Sequence, residues 1–564
     1  MKRKILFAIL IVSILITITG VFLFYKFLFA PPKINPINQE ISENDKFRNG
    51  VVKFIREVAE NYFENTLTSY PEDLNIKGDW DAEITIYYQG AIMGRGEGKN
   101  PILSPALETA TRNVLEDNKR FKIISKGDLS ETIFIVNLKN ISFSIIDSGG
   151  EGKEIIGDLA IIRSLDKELV KEKIEEGKKY LFRIMDKELY GFHKYYDAIN
   201  DGLENQLHTI YSASSIYTLL YIYEFTGDAE ILKNLNNFGN FLLLMQNKDE
   251  NSVGYGAFHY SYDLGTKKKE LNFVVGTSAK TIFTLLRLYD LTKDSKYLES
   301  AKLAGDWLLT MQKSDGLMNG YVKYKESDKQ WVYSAKESFL YNGQVLSAFS
   351  RLYNFTRDEK YYLAAQNLAK NFTARVEKEG CYLGDDYRSK NPISSSWVVL
   401  SLLDFYKTKN QDYYKSIVLK CSQDLLKRQI TDENDVVNNG RWDNSFSSSG
   451  TGWINEVMVE VYNFFCKEGN KINLADFNCD ESKKAIVRAT RWLIQNTYSL
   501  ENTFFLKNPQ NAIGGLFWDP KNKYIRTDSV CHGLNGYLRI INDLGDDVLI
   551  SLPEKTLGEI LSGR

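Results

Sequence analysis

A short turn that recurs along the second half of the chain constrains the fold more than any other feature. Each copy consists of an apolar residue and Tyr, two further residues, and Thr-x-Asp, with amphipathic segments on both sides. Repetition at a near-constant spacing of tens of residues is typical of stacked supersecondary units. The pattern predicts helical hairpins whose second helix is capped by the Asp. The copies are Tyr223…Thr226-Gly227-Asp228, Tyr289…Thr292-Lys293-Asp294, Tyr353…Thr356-Arg357-Asp358 and a looser Tyr406-Lys407-Thr408-Lys409-Asn410.

Helical periodicity begins at Lys167 and predicts twelve helices. Five consecutive pairs form hairpins, and we expect the unpartnered first and last helices to pair with each other. Six hairpins then close into a ring. The predicted helices are Val170–Met185, Tyr211–Phe225, Ala229–Gln246, Ser278–Leu291, Tyr297–Gln312, Asn342–Phe355, Tyr361–Ala374, Ser395–Tyr406, Tyr413–Arg428, Trp453–Phe465, Glu481–Gln495 and Cys531–Ile541.

Long connections rich in Gly and aromatic residues separate the hairpins. The helices that follow them carry Ser, Gly, Thr and Asn near their starts, and we assign these helices to an inner ring. All long connections then lie on one face, called the mouth below. This arrangement resembles the (α/α)6 toroid of six-hairpin carbohydrate-active proteins over residues 167–545. The resemblance implies a mainly α architecture but no single reaction, because one fold hosts many chemistries.

The N-terminus predicts a membrane anchor. Met1-Lys2-Arg3-Lys4 precedes an uncharged apolar run from Ile5 to Tyr25, which is long enough to cross a bilayer as a helix. The basic residues favour a cytoplasmic N-terminus, so the bulk of the chain is predicted to lie outside. The alternative is a cleaved signal peptide. We therefore predict an anchor at 1–30 and a linker at 31–45, with a tail at 546–564 beyond the toroid.

A small α+β domain is predicted at 46–166. The residue patterns predict two helices, Lys46–Asn65 and Ser104 to about Asp117, and three strands, Ala82–Tyr88, Ile133–Leu138 and Ile155–Ile162. The order of these elements resembles the AMMECR-type domain. A strand is followed by a glycine turn at Gln89-Gly90-Ala91, a helix, an Arg120-Phe121 step and a turn at Gly127-Asp128-Leu129. That family's Arg-Gly-Cys-Ile-Gly stretch is replaced here by Gly90-Ala91-Ile92-Met93-Gly94, and the resemblance implies no particular chemistry.

The balance of charge argues against a nucleic-acid-binding protein. The chain has 71 basic and 73 acidic residues and a formal net charge of −2, whereas nucleic-acid binding requires a basic excess. Its five Cys are too few for a disulfide-based scaffold, although Cys466 and Cys479 flank a short loop and could pair. Glycan is the expected partner.

Candidate catalytic residues come from the mouth. All four His of the chain fall in long connections or at inner-helix starts, and His exchanges protons near neutral pH. Glycoside hydrolysis usually needs two carboxylates across the scissile bond. If these side chains are catalytic, two or more should converge in one cleft; the alternatives are backbone cross-linking by His and turn formation by Asp. The predicted catalytic residues are His208, His259, His532, Asp386 and Asp443.

Aromatic and Arg side chains at the mouth are candidates for substrate binding. Sugar rings stack on Trp and Tyr, and Arg binds the carboxylate of an acidic sugar. The alternatives are loop packing for the aromatic residues and a solvated charge for each Arg. The predicted substrate-binding residues are Tyr260, Tyr387, Arg388, Arg441, Trp442 and Trp518, with Arg526 as a further Arg.

Two narrower resemblances bear on the reaction. Cys531-His532-Gly533-Leu534-Asn535-Gly536 is similar to the zinc motif of lanthionine synthetase C-like cyclases, but the family's further Cys is missing at Gly452-Trp453-Ile454-Asn455. Cys531 and His532 are thus candidate zinc ligands, although we expect no cofactor. The hairpin from Gly343 to Tyr361 is similar to that of D-glucuronyl C5-epimerase C-terminal domains, which implies proton abstraction from a uronic acid.

Together these observations predict a membrane-anchored, externally facing enzyme acting on surface or extracellular glycan. Hydrolysis is placed slightly ahead of uronic-acid epimerisation or polysaccharide elimination. The contrasting hypothesis is a non-catalytic glycan-binding or envelope-assembly protein.

Overall fold

The computed structural model describes residues 45–543, except for 89–90, 117–124, 140–142, 149–150, 156–164, 199, 335, 433–437, 444, 446, 468–476, 500–502, 504–505, 507 and 519–523. The predicted anchor, nearly all of the linker, and the tail therefore lie outside the described residues. The described chain divides into two compact units, one of residues 45–86 and 93–155 and the other of 87–92 and 165–543. Within the described residues, no helix is long and apolar enough to cross a membrane.

The first unit is a five-stranded sheet with two helices, as expected for an α+β domain. Its sheet order is β2-β1-β3-β4-β5, and β3-β4 and β4-β5 are antiparallel. The elements are α1 (Asp45–Glu64), β1 (Lys77–Tyr88), β2 (Ala91–Ile102), α2 (Leu103–Glu116), β3 (Thr132–Leu138), β4 (Phe143–Ser148) and β5 (Glu151–Ile155), with 3-10 turns at Glu72–Leu74 and Lys126–Glu131.

Strand β2 corrects the sequence prediction, which placed only a glycine turn between β1 and α2. Its Gly-rich sequence lacks the branched and aromatic residues that usually mark a strand. In the structure Gly96 and Gly98 lie directly against the backbone of α2, where a Cβ would collide with the carbonyl oxygens of Ala110 and Ala106. The glycines therefore allow a close approach of strand and helix. The AMMECR-type resemblance remains a prediction.

The second unit is the predicted ring of six helical hairpins. Each inner helix contacts the next, the last contacts the first, and α3 pairs with α15 to close the ring. The inner helices are α4 (Thr209–Thr226), α6 (Val275–Thr292), α8 (Phe339–Thr356), α10 (Pro392–Lys409), α12 (Ser448–Phe465) and α15 (Thr527–Asp543). The outer helices are α3 (Lys167–Ile184), α5 (Ala229–Met245), α7 (Ser295–Thr310), α9 (Glu359–Glu379), α11 (Asp412–Leu426) and α13 (Cys479–Gln495); α14 (Pro509–Ala512) is a short turn of helix.

Short strands border the mouth in the long connections. They form three small sheets, in the orders β10-β9-β8, β11-β12-β13 and β14-β6-β7. The strands are β6 (Tyr195–Asp197), β7 (Gly202–Leu203), β8 (Gln206–His208), β9 (Ser261–Asp263), β10 (Lys268–Lys269), β11 (Asn272–Val274), β12 (Tyr321–Lys325), β13 (Gln330–Tyr333) and β14 (Ile525–Arg526).

The repeated turn joins inner to outer helices as predicted. Asp228, Asp294 and Asp358 each cap an outer helix by accepting hydrogen bonds from backbone N–H groups in its first turn. The residue between Thr and Asp has a left-handed backbone, with φ of 67° at Gly227 and 58° at Arg357. This conformation ends one helix and redirects the chain into the next.

Two disulfides link parts of the second unit. Cys466–Cys479 confirms the suggested pair, and Cys381–Cys421, with a sequence separation of 40, was not predicted because its cysteines are remote in sequence. Cys531 is a buried free thiol.

Candidate active site

A cavity of about 470 Å³ lies at the N-terminal end of the inner ring. All six inner helices line it, and each contributes the sixth residue of its helix. These residues form one layer, called the floor, and the second or third residues of the helices form a layer above it, because residues three or four apart lie on the same helix face. In ring order the floor consists of Ser214, Lys280, Gln344, Trp397, Trp453 and His532.

His532 is held in the floor by a carboxylate one helical turn deeper. Its Nδ1 lies 2.7 Å from Oε2 of Glu456, and Asn535 donates to the other carboxylate oxygen at 3.1 Å. Burial raises the pKa of Glu456, but the hydrogen bond from His532 and the nearby Lys280 outweigh it, so the pKa is held below its usual value. An ionised carboxylate only accepts, so Nδ1 carries the proton and Nε2 is the ring nitrogen left for the cavity.

A second carboxylate, Asp528, lies at the start of α15. It forms a bidentate ion pair with Arg526, whose Nε is 2.7 Å from Oδ1, and it accepts from the Ser449 hydroxyl at 2.8 Å. Burial opposes ionisation, yet Arg526 keeps the pKa of Asp528 below its usual value. The Arg526 guanidinium also lies 4.4 Å from the ring centre of Trp518. Asp528 is thus an ionised group that is already neutralised by a neighbour.

Aromatic rings make up much of the remaining surface. Trp397 and Trp453 stack with ring centres 3.9 Å apart, and the His532 ring meets Trp453 edge-on at 5.2 Å. Tyr211 and Tyr341 come from the layer above the floor. Flat apolar surface beside polar groups is the composition that carbohydrate ligands require.

Some of the predicted residues meet at this cavity. Tyr260, Arg388, Trp518 and His532 line it. Trp518 also stacks on Tyr524, so its ring is engaged by Tyr524 and Arg526 rather than left bare. Tyr387 does not line the cavity; it is exposed, with its hydroxyl 3.1 Å from Ser334 Oγ and its ring beside the lining residue Tyr341.

The other predicted histidines do not line the cavity. His208 is buried, with Nε2 3.3 Å from Glu204, and its ring packs behind Tyr211 and Tyr260. His259 is buried against Phe273, and its Nδ1 contacts the Glu270 carbonyl oxygen at 2.9 Å. Both residues support the wall, so of the five predicted catalytic side chains only His532 borders the cavity.

Asp386, Asp443, Arg441 and Trp442 also lie off the cavity surface. The Asp386 carboxylate accepts from the backbone N–H of Glu337 at 2.7 Å. This contact corresponds to loop formation, the alternative to catalysis that the sequence analysis gave for Asp. Asp443 is exposed. Trp442 is fully buried and donates from Nε1 to the Leu425 carbonyl, because its ring fills the space between connection and helix.

Sequence reasoning missed Lys280, Trp397 and Gln344. The predicted inner helices begin two to five residues too late, because residue patterns locate the ends of helices less precisely than their centres. Once the true starts are known, a shared sixth position identifies the floor directly.

The described residues contain no group of three or more His, Cys, Asp or Glu placed to bind a metal ion. Cys531, a candidate zinc ligand beside His532, is buried away from the cavity with its Sγ 3.5 Å from Ser215 Oγ. Burial raises the pKa of this thiol to about 12, so it stays protonated.

Comparison with known proteins supports the same architecture. A family model described as glycosyl hydrolase family 76 matches residues 268–421. Cellobiose 2-epimerase from Bacillus thermoamylovorans B4167 is 16% identical over 66% of this chain and 99% of its own, with a TM-score of 0.51. Cellobiose 2-epimerase from Spirochaeta thermophila DSM 6192 is 12% identical over 66% of this chain and 96% of its own, with a TM-score of 0.50.

An inactive α-1,6-mannanase variant from Salegentibacter sp. HEL1_6, in complex with α-1,6-mannotetrose, is 14% identical over 66% of this chain and 98% of its own, with a TM-score of 0.47. No curated protein matches the chain. The second unit therefore shares the six-hairpin (α/α)6 fold with the two cellobiose 2-epimerases. At identities this low, structural similarity shows the fold alone, so the reaction has to be inferred from the residues of the cavity.

Proposed function

We propose that the protein is a carbohydrate-active enzyme that binds a sugar in the inner-ring cavity and transfers a proton through His532. The observation that carries this proposal is the His532–Glu456 pair, with its 2.7 Å contact, at the floor of a cavity lined by stacked Trp rings. The glycosyl hydrolase family 76 model that matches residues 268–421 and the two cellobiose 2-epimerases of the same fold agree with a sugar ligand for this cavity.

The pair is suited to general base and general acid catalysis. With Nδ1–H directed at Glu456, Nε2 of neutral His532 accepts a proton from the substrate. The imidazolium formed is stabilised by the ionised carboxylate, and the same Nε2 returns the proton later. A positioned His contributes about 100- to 10,000-fold to the rate of such steps.

The reaction favoured by this geometry is proton transfer at a sugar carbon, as in epimerisation or isomerisation. Hydrolysis by two carboxylates needs one that is protonated and one that is ionised. Among the described lining residues Asp528 is the single carboxylate, and Arg526 and Ser449 keep it ionised. Asp519, which follows the lining residue Trp518 in the sequence, lies outside the described residues.

Glycoside hydrolysis is the second candidate, and the match to glycosyl hydrolase family 76 favours it. In that case protonated His532 gives its proton to the glycosidic oxygen as the bond to the anomeric carbon breaks. Water adds to that carbon and loses a proton to Asp528. The ion pair with Arg526 makes Asp528 a weak base, which is why this reaction is placed second.

One experiment separates these reactions. The full purified chain is incubated with a panel of neutral and acidic oligosaccharides in D₂O and followed by NMR. Deuterium at a ring carbon without chain cleavage indicates epimerisation or isomerisation, new reducing ends indicate hydrolysis, and an unsaturated ring indicates elimination. Binding without turnover of any substrate would overturn the enzyme proposal and leave a glycan-binding protein.

We also propose that the run from Ile5 to Tyr25 anchors the protein in a membrane with the toroid outside. The disulfides Cys381–Cys421 and Cys466–Cys479 support an external location, because disulfides persist mainly in oxidising compartments. The test is protease treatment of intact cells that express the full chain. Loss of the toroid while a cytosolic marker survives supports the proposal, and full protection in intact cells with digestion after lysis contradicts it.

A further inference from the structure

Lys280 extends across the centre of the cavity floor. It comes from α6, yet its Nζ lies 5.5 Å from the ring centre of Trp453 on α12, the helix opposite in the ring, and 5.8 Å from that of Trp397. Its third aromatic neighbour is Phe283, at 5.2 Å. A sugar that reaches the Trp pair must therefore meet this ammonium group.

The Lys280 charge is compensated in part by three aromatic rings and by Glu456, the carboxylate beneath the floor. Within the described part of the chain, Lys280 Nζ makes no hydrogen bond and no ion pair. Two other cations of the inner ring have direct partners, because Arg526 is neutralised by Asp528 and Arg351 by Asp404 at 2.9 Å. Burial lowers the pKa of Lys280 although Glu456 opposes this shift. An anionic group of a ligand beside Nζ would supply the missing direct partner and favour the charged ammonium.

A second cation lies higher in the same cavity. Arg388 lines its wall and is itself exposed, while its backbone is fixed by hydrogen bonds to Asp385. Lys280 at the floor and Arg388 at the wall leave the lining with an excess of positive charge once Arg526 and Asp528 cancel.

We propose that Lys280 binds an anionic substituent of the sugar, such as a carboxylate or a sulfate, and so selects acidic over neutral sugars. This inference rests on the proposed function, because it assumes that the cavity is the sugar site. It makes Lys280 a specificity-determining residue and assigns it no proton transfer. The ammonium is a point charge with three donors, which suits a single anionic group held against the Trp rings.

The test measures binding, so it does not depend on turnover. The full chain is titrated with glucuronate, glucose 6-sulfate and glucose, and affinity is read by calorimetry and by the fluorescence of the floor Trp residues. We expect at least one acidic sugar to bind about tenfold or more tightly than glucose. The preference should fall to within about twofold in Lys280→Met and persist in Lys280→Arg. The matched control is Lys302→Met, which removes an exposed Lys from outer helix α7.

The outcomes separate this inference from the proposed function. Equal binding of acidic and neutral sugars, or a preference that survives Lys280→Met, overturns the inference even if His532-dependent turnover is found. Loss of the preference in Lys280→Met, with no turnover of any sugar, upholds the inference and overturns the enzyme proposal. The carboxylate and sulfate arms identify which anion the site accepts, and near-ultraviolet circular dichroism of each variant checks that the fold is retained.

Discussion

The inner helices carry two layers of side chains that face the ring axis, and the two layers handle charge differently. The floor, at the sixth helical position, holds Lys280 and His532 but no carboxylate. The other layer lies two helical turns deeper than the floor and is called the thirteenth-position layer. It consists of Tyr221, Arg287, Arg351, Asp404, Glu460 and Arg539. Here Arg351 pairs with Asp404 at 2.9 Å, Arg539 with Glu460 at 2.8 Å, and Arg287 with Glu224.

The difference shows which layer is structural and which is functional. In the thirteenth-position layer every Arg has a carboxylate partner, so the layer is complete without a ligand. In the floor, Lys280 Nζ has no hydrogen bond or ion pair within the described residues and interacts with Glu456 only through space, and Nε2 of His532 is directed to the cavity. Charges that a fold leaves unpaired inside a cavity are the ones available to a substrate.

The largest expected effect tests whether the floor is catalytic. His532→Gln should lower turnover by about 100-fold or more, because it removes the group that exchanges the proton. His259→Gln should keep turnover close to that of the parent enzyme, since His259 contacts Phe273 and a backbone carbonyl outside the cavity. The measurement is steady-state kinetics on the substrate found in the NMR panel. Equal losses in the two variants would show that the histidines act only through the fold.

The second prediction contrasts the two layers by stability. Arg351→Met should lower the free energy of unfolding by about 3 kcal/mol, because it leaves the Asp404 carboxylate buried without its partner. Lys280→Met should change stability much less, since Glu456, the carboxylate near Lys280, keeps its hydrogen bonds to His532 and Asn535. Urea unfolding followed by fluorescence measures both. A larger loss for Lys280→Met than for Arg351→Met would contradict the division into structural and functional layers.

The third prediction concerns pH and the carboxylate beneath the floor. Burial alone would raise the pKa of Glu456, but His532 and Lys280 hold it below its usual value. A lowered pKa means that Glu456 stabilises the fold fully above the ordinary carboxyl pKa of about 4.3, and that this contribution disappears as pH falls through the lowered value. Unfolding free energies between pH 3 and 7 should therefore fall less steeply in acid for Glu456→Gln than for the parent chain. Identical slopes would contradict the predicted role of Glu456.

The ring could be predicted from sequence because its signals are local. The Thr-x-Asp turns and the helical periodicity each lie within a few residues, so the outer-helix caps at Asp294 and Asp358 followed directly. The floor could not be predicted in the same way, because it depends on the exact first residue of each inner helix. The predicted starts of α6 and α10 are three residues too late, so the sequence analysis did not place Lys280 and Trp397 at the cavity. Asp386 and Trp442, both predicted as site residues, lie off the cavity; loop-forming Asp and buried Trp have the same local sequence context as functional ones.

The smallest expected effects compare two copies of the repeated turn. Asp358 accepts one backbone N–H, from Lys360, and its ion pair with the Lys360 side chain is longer, at 3.4 Å, and exposed, so Asp358→Ala should cost about 1 kcal/mol, the usual value of an N-cap. Asp228 accepts from Glu230 and Ile231 and also pairs with Lys178 at 2.7 Å, so Asp228→Ala should cost more, about 2 kcal/mol. Chemical denaturation gives both values. Turnover should not change in either variant, because both turns lie at the end of the ring opposite the cavity. A fall in turnover per folded molecule would show that the turn end and the floor are coupled along the inner helices, and the two layers could then no longer be treated as independent.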